Sequence, residues 1–211
     1  MLTVCTSSLE VDLTDLASAQ EVVGAPSSDE PYVARLITRA SRWAETYVGQ
    51  PLLAQTYLES VAGGGTKRLL LSRTPVRSVA KIIQGSSSTG DGTVLDSTAY
   101  RVEDAEAGVL WYDSSFLWQP VDLGMSRGIA PGDDTRNYWV EYEAGYVFPG
   151  DSTTPRTLPE EIELAVIAKV RQLYAGDADV TSERLGDYAV TYRSEGPDEP
   201  SAMLDPYRRL V

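Results

Sequence analysis

Protein chemistry draws on a short list of reactive side chains, and this sequence lacks one of them. It has no histidine and a single cysteine, Cys5. Ser-His-Asp and Cys-His centres therefore cannot be built within one chain. Cys5 has no imidazole to draw off its proton, so it reads as a structural thiol. Zinc, copper and haem sites that rest on imidazole are excluded, and one thiolate cannot complete a ligand set. Oxygen-ligated ions such as Mg or Ca stay open. The stretch Asp177-Ala178-Asp179-Val180-Thr181 opens like a calcium loop. Its sixth position is Ser182 and its twelfth Tyr188, where the loop needs Gly and Glu. Gly63-Gly64-Gly65-Thr66-Lys67 hints at a phosphate loop but has no Gly-Lys-Ser/Thr frame, and it reads as a hairpin turn. Carboxylates are abundant enough for a glycosidase pair. Trp111, Tyr112, Trp118, Tyr138 and Trp139 are able to line a sugar groove, although such residues serve a β core or an interface equally well. No catalytic residue, cofactor or metal is assigned, and an enzyme is not expected.

The charges point to surfaces instead. With 31 acidic and 18 basic residues the formal net charge is -13. Such a chain is repelled by nucleic-acid backbones and should not grip them, and the charge reads either as solubility or as a surface that DNA passes without sticking. Against this background Lys67, Arg68, Arg73, Arg77 and Lys81 form a local basic stretch. It reads as a solvated strand face or as a patch that joins acidic neighbours. Trp118 and Trp139 are candidate companions in such an inter-subunit surface. Tyr207, Arg208 and Arg209 near the C-terminus combine residue types enriched at interface anchors and are candidates for partner docking.

Several elements must position these residues. A first helix is expected over Asp15–Val23, capped by Thr14 and ended by Gly24 and Pro26. A second is expected from Asp29 to Val48, with Ser28 or Asp29 as cap and Pro31 in the first turn. Its stripe is Val33, Leu36, Ile37, Ala40, Ala44, Tyr47 and Val48. Six short strands are then expected at Gln55–Val61, Lys67–Leu71, Val79–Gln84, Tyr100–Glu103, Val109–Tyr112 and Asn137–Tyr142. Glycine- and serine-rich loops separate them at Gly85–Gly92 and Gly124–Asp134. A third helix begins near Leu158, with Thr157 and Glu160 as a capping box, and ends at Gly176. Its stripe is Ile162, Ala165, Val166, Val170 and Leu173. A strand at Tyr188–Tyr192 and a last helix at Ala202–Leu210, weakened by Pro206, complete the pattern. The expected fold class is α+β: a helical bundle built from N- and C-terminal helices, with an inserted antiparallel β region. The expected parts are 1–53 and 158–211 for the helical core and 54–157 for the insertion. A composition of 42% hydrophobic and 23% charged residues is enough to build a core. No apolar run has the length of a membrane span, and Met1–Glu10 lacks the pattern of a signal peptide. Synthesis in the cytoplasm of a host is the expectation.

Four stretches together resemble the head–tail connector proteins (adaptor, or head-completion proteins) of long-tailed phages and gene transfer agents. They are Leu13-Thr14-Asp15-Leu16 with the helix ending in Gly24, then Leu36–Ser41 running on to Leu52. Tyr142-Glu143-Ala144-Gly145-Tyr146 follows, with Leu158-Pro159 opening a helix that ends at Leu173-Tyr174. The last is Leu185-Gly186-Asp187-Tyr188 with Leu204-Asp205-Pro206-Tyr207-Arg208-Arg209. The resemblance implies a structural virion protein of the neck, with no enzymatic activity and no cofactor. It implies a dodecameric homo-oligomeric ring between the portal protein and a stopper or tail-terminator protein, with DNA passing through its channel unread and no membrane involved. Two rival expectations stay open. One is a stopper or tail-terminator ring, which the strong helices argue against. The other is a carboxylate-based glycan hydrolase.

Overall fold

The computed structural model describes residues 2–6, 12–85, 92–117, 136–149, 154–175, 182–185, 188–191 and 200–208. The chain is α+β and divides into two units. One comprises Leu9–Leu53 and Tyr146–Val211 and carries the helices. The other comprises Met1–Ser8 and Ala54–Gly145 and carries the two larger sheets.

In the helical unit the longest element is α2 (Glu30–Val48), introduced by a 3-10 turn at Ser27–Asp29. Its predicted stripe buries Val33, Leu36, Ile37, Ala40, Ala44 and Val48, and Ser41 joins them. Ser41 is tolerated there because its Oγ accepts the Leu13 amide at 3.0 Å. Gly49, at φ +84, ends the helix in the left-handed conformation that glycine adopts without strain. Helix α1 (Leu16–Val23) is capped by Asp15, one residue later than expected. The Asp15 carboxylate accepts the Ser18 amide at 2.8 Å, and this bond holds its carboxyl below the ordinary range. Thr14 is buried instead, and its hydroxyl donates to Glu163 at 3.0 Å.

Helix α3 (Glu160–Ala175) follows Pro159, whose carbonyl accepts from Ile162 and Glu163. The capping role expected of Thr157 goes elsewhere. Its Oγ accepts the Val147 amide at 2.9 Å, while the amides of Thr157 and Leu158 donate to the Val147 carbonyl. These bonds tie residues 146–158, most of them expected in the insertion, to the helical unit. Helix α4 (Pro200–Leu204) tightens into a 3-10 turn at Asp205–Tyr207, where Pro206 has no amide to continue an α-helix. All four helices contribute to one apolar cluster that includes Leu13, Ala19, Ala40, Leu52, Ile162, Val166 and Leu204.

The strands are β1 (Leu2–Thr6), β2 (Gln55–Ala62), β3 (Thr66–Leu70), β4 (Val76–Gln84), β5 (Thr93–Val94), β6 (Tyr100–Asp104), β7 (Val109–Phe116), β8 (Arg136–Ala144), β9 (Ser182–Leu185) and β10 (Tyr188–Thr191). A five-stranded sheet has the order β1-β2-β8-β4-β5 and a three-stranded sheet the order β3-β7-β6, both antiparallel. β9 and β10 form a separate antiparallel pair. β1, β5 and β9 were not expected. Gly63–Gly65 is not a hairpin turn, because β2 and β3 belong to different sheets. The chain crosses there with Gly63 pressed so close to the Leu117 carbonyl that a Cβ would lie 2.0 Å from its oxygen.

Alternation on β8 buries Tyr138, Val140, Tyr142 and Ala144 in the core of this unit. Beside them, on β2, sits the buried carboxylate of Glu59, 6% exposed. It accepts from the Tyr142 hydroxyl at 2.6 Å, from the Ser72 amide at 3.0 Å and from the Ser72 hydroxyl. Burial first, and then the Glu59 contact, push the Tyr142 phenol far above its ordinary value, so it stays a donor. The cluster pins the β3–β4 connection to the large sheet. Glu59→Ala strands the buried Tyr142 hydroxyl and removes the acceptor of the exposed Ser72, and should lower the unfolding free energy by about 1–3 kcal/mol, and Tyr142→Phe by about 1–2 kcal/mol, as read by chemical denaturation. The unfolded phenol titrates near 10 and the folded one higher, so stability should fall as pH rises above about 10. Tyr142→Phe should flatten that decline.

Candidate functional site

The basic stretch is divided between two sheets. Lys67 and Arg68 lie exposed on β3. In the strand register Arg68 stands opposite Trp111 of β7, and Trp111 opposite Arg101 of β6. The Arg101 guanidinium lies 3.9 Å from the Trp111 ring centroid and the Lys67 ammonium 5.3 Å from it. Arg68 forms a two-pronged pair with Glu103, its second prong at 2.8 Å. That hydrogen bond raises the Arg68 pKa and lowers that of Glu103. Leu70 is 61% exposed next along β3. The result is an outward patch of cations around one indole.

Arg77 and Lys81 belong to β4 of the large sheet and meet acids of β8. Arg77 pairs with Glu143, and Lys81 with Glu141 at 3.0 Å, directly across the ladder. Arg73 lies in the β3–β4 connection, where its amide donates to the Tyr142 hydroxyl at 3.2 Å. Its Nε and the Trp139 Nε1 are buried, with no hydrogen-bond partner among the described residues. Trp139 stands on β8 opposite Ser60 and Ile83. The structure therefore joins Lys67 and Arg68 but separates them from Arg77 and Trp139. Trp118 and Arg209 lie outside the described residues, as do most residues of the two loops and of the calcium-loop-like stretch.

In the helical unit Tyr207 is half-buried against the core cluster, and its hydroxyl donates to Glu161 at 3.3 Å. Arg208 is exposed, with its guanidinium 5.6 Å from the Tyr47 ring centroid. The Tyr47 hydroxyl donates to Asp205 at 2.6 Å. Tyr207 is thus a fold anchor that holds Arg208 at the surface. Trp111, Arg101 and Tyr47 were not singled out in the sequence as partners of these cations. Their strands and helix were expected, but register and cross-helix contacts leave no mark in composition.

Among the described residues the named aromatics are not gathered on one surface. Tyr138 is buried, its oxygen accepting the Leu117 amide at 2.8 Å, and Trp111 and Trp139 stand on different sheets. Among the described residues no group of three or more Cys, Asp or Glu side chains is placed to hold a metal ion, and no helix is long and apolar enough to cross a membrane.

A family profile described as Head completion protein matches residues 12–210. No curated protein matches the sequence. Among solved structures, a chain in "Neck of empty GTA particle computed with C6 symmetry" is similar with a TM-score of 0.62 at 14% identity, covering 100% of this chain and 96% of that one. Chains in "Virion of native gene transfer agent (GTA) particle" and "Neck of native GTA particle computed with C12 symmetry" score 0.59 and 0.58, at the same identity and coverage. These likenesses establish a shared fold. The different anchoring of the two C-terminal residues is measurable by chemical denaturation. Tyr207→Ala should lower stability by roughly 1–2 kcal/mol, whereas Arg208→Ala should shift it by less than about 0.5 kcal/mol.

Proposed function

The chain belongs to the head completion protein family, and from that premise we propose that it is the adaptor ring between the portal and the tail side of the neck. It is a virion component, and its role is structural. The observation that carries the reading is the extent of the family match: it spans both helical segments and the β unit from Ala54 to Gly145, leaving out strand β1. We read the helical unit as a bundle of N- and C-terminal helices that forms the ring body, with the segment 54–157 as its inserted arm. The ring is dodecameric, with the portal protein on one side and a stopper or tail-terminator protein on the other.

The charge supports a conduit. At -13 per subunit a ring carries a large negative charge, and DNA slides past such a wall without adhering. Arg208, held out by Tyr207 and continued by Arg209, docks on the portal. On the β unit the inter-subunit surface centres on Lys67 and Arg68 with Trp111 and Arg101. Arg77 and Trp139 stand on the other sheet of this unit, and with Arg73 and Trp118 they complete the proposed surface. Arg- and Trp-rich patches are the usual seats of binding energy.

Imaging purified portal rings by negative stain after adding this chain tests the reading. The expected result is an added layer whose rotational symmetry matches the ring. Truncation after Leu204 should abolish that layer. If the intact chain adds no layer to the portal, the adaptor assignment is wrong and the chain belongs to a later ring of the neck.

A further inference from the structure

Most cations with a clear geometry in this chain are matched at home. Arg68, Arg77, Lys81 and Arg156 each meet a glutamate of the same unit. Helix α2 is the exception. Arg35, Arg39 and Arg42 recur at spacings of four and three, and all are exposed. On a helical wheel they lie opposite Val33, Leu36, Ala40 and Ala44, the buried face. They run about 10 Å along the axis. Arg35 donates only to the Pro31 carbonyl, at 3.1 Å. Arg39 has no ion-pair partner among the described residues. Arg42 reaches Glu45 only at 3.8 Å and stays 64% exposed. Tyr32, 43% exposed, stands at the start of this ridge. A chain with 31 acids and 18 bases has carboxylates to spare, yet three guanidinium groups face outward together.

Helix α3 offers the complement. Its outward face, opposite Ile162, Val166 and Val170, begins with the exposed Glu160 and Glu161 and continues to Leu164, which is 55% exposed. Of the two cations on that helix, Lys169 lies over the Trp43 ring at 5.1 Å and Arg171 is about 16 Å beyond Glu160 along the axis. Since α2 and α3 bury their inner faces in one cluster, these outer faces point to different sides of the helical unit. A closed ring needs just such a pair of unlike surfaces, because its contacts are head to tail.

We propose that the arginine ridge of α2 in one copy seats on the Glu160–Leu164 face of α3 in the next copy. Guanidinium–carboxylate pairs set the register, and Tyr32 and Leu164 supply apolar contact. The proposal rests on the ring reading above. It identifies an interface that belongs to the helical unit alone, separate from the Trp111 patch.

The test uses rings assembled on the portal. Imaging first establishes that a ring is present. In a Cys5→Ser background, Arg39→Cys with Leu164→Cys should give, on mild oxidation, a ladder of covalent multimers that neither single variant gives. Arg39→Glu with Arg42→Glu should abolish ring closure, and adding Glu160→Arg, which leaves the Tyr207–Glu161 bond intact, should restore it. Intact rings that yield no ladder, or rings that close normally with the reversed ridge, overturn the interface and leave the ring reading standing. Portal without any ring from the unaltered chain overturns both. Binding of polyphosphate by the unaltered ring, lost in the reversed ridge while ring closure persists, would show that the ridge serves nucleic-acid phosphates, and would also overturn the proposal.

Discussion

The amide of Tyr146 donates to the carbonyl of Leu52 at 2.7 Å, and Leu53 bridges Tyr146 in parallel. This small contact decides the architecture. More than ninety residues separate the two positions, yet the chain leaves the helical unit and re-enters it at one point. Closing a long loop costs little more than closing a moderate one, since the entropy grows only with the logarithm of length. What matters is that the ends be held, and they are: Leu52 and Leu53 are buried, Val147 is bonded to Thr157 and Leu158, and α3 follows at once. Among the described residues the apolar cluster of the helical unit is drawn from Leu13–Leu53, Tyr146, Phe148, Leu158–Tyr174, Leu204 and Tyr207.

Much of this was readable in advance because it depends on local pattern. The stripe of α2 and the glycines after α1 and α2 stand where periodicity and backbone preference put them. Strand positions within 55–144 also follow from alternation, with ends that shift by a few residues. What failed was whatever depends on choosing among equivalent polar groups. Thr14 and Asp15 are both good caps, and the choice fell to Asp15 because Glu163, far along the chain, takes the Thr14 hydroxyl. Thr157 satisfied a capping motif but was taken by Val147. Gly63-Gly64-Gly65 carried a turn signal that says nothing about whether the flanking strands pair with each other.

The candidate surfaces show the same limit more sharply. The basic stretch was visible as composition, but its division between two sheets was not. Only the register reveals that Arg68 shares a row with Trp111 and Arg101, while Lys81 faces Glu141. Both cations meet a glutamate of their own unit, but only Arg68 does so in a row with an indole. Tyr207 and Arg208 are adjacent in sequence and divide the work in another way, one turned into the core cluster and the other out.

The sheets end on short strands, and this bears on the life of the subunit before assembly. The five-stranded sheet stops at β1, five residues long, and at β5, only two. The three-stranded sheet stops at β3 and β6, five residues each, and β3 carries Lys67 and Arg68. Edges this brief and this charged are poor templates for another strand. The chain is thereby guarded against polymerising through its backbone. Association is left to side-chain surfaces, which recognise one geometry.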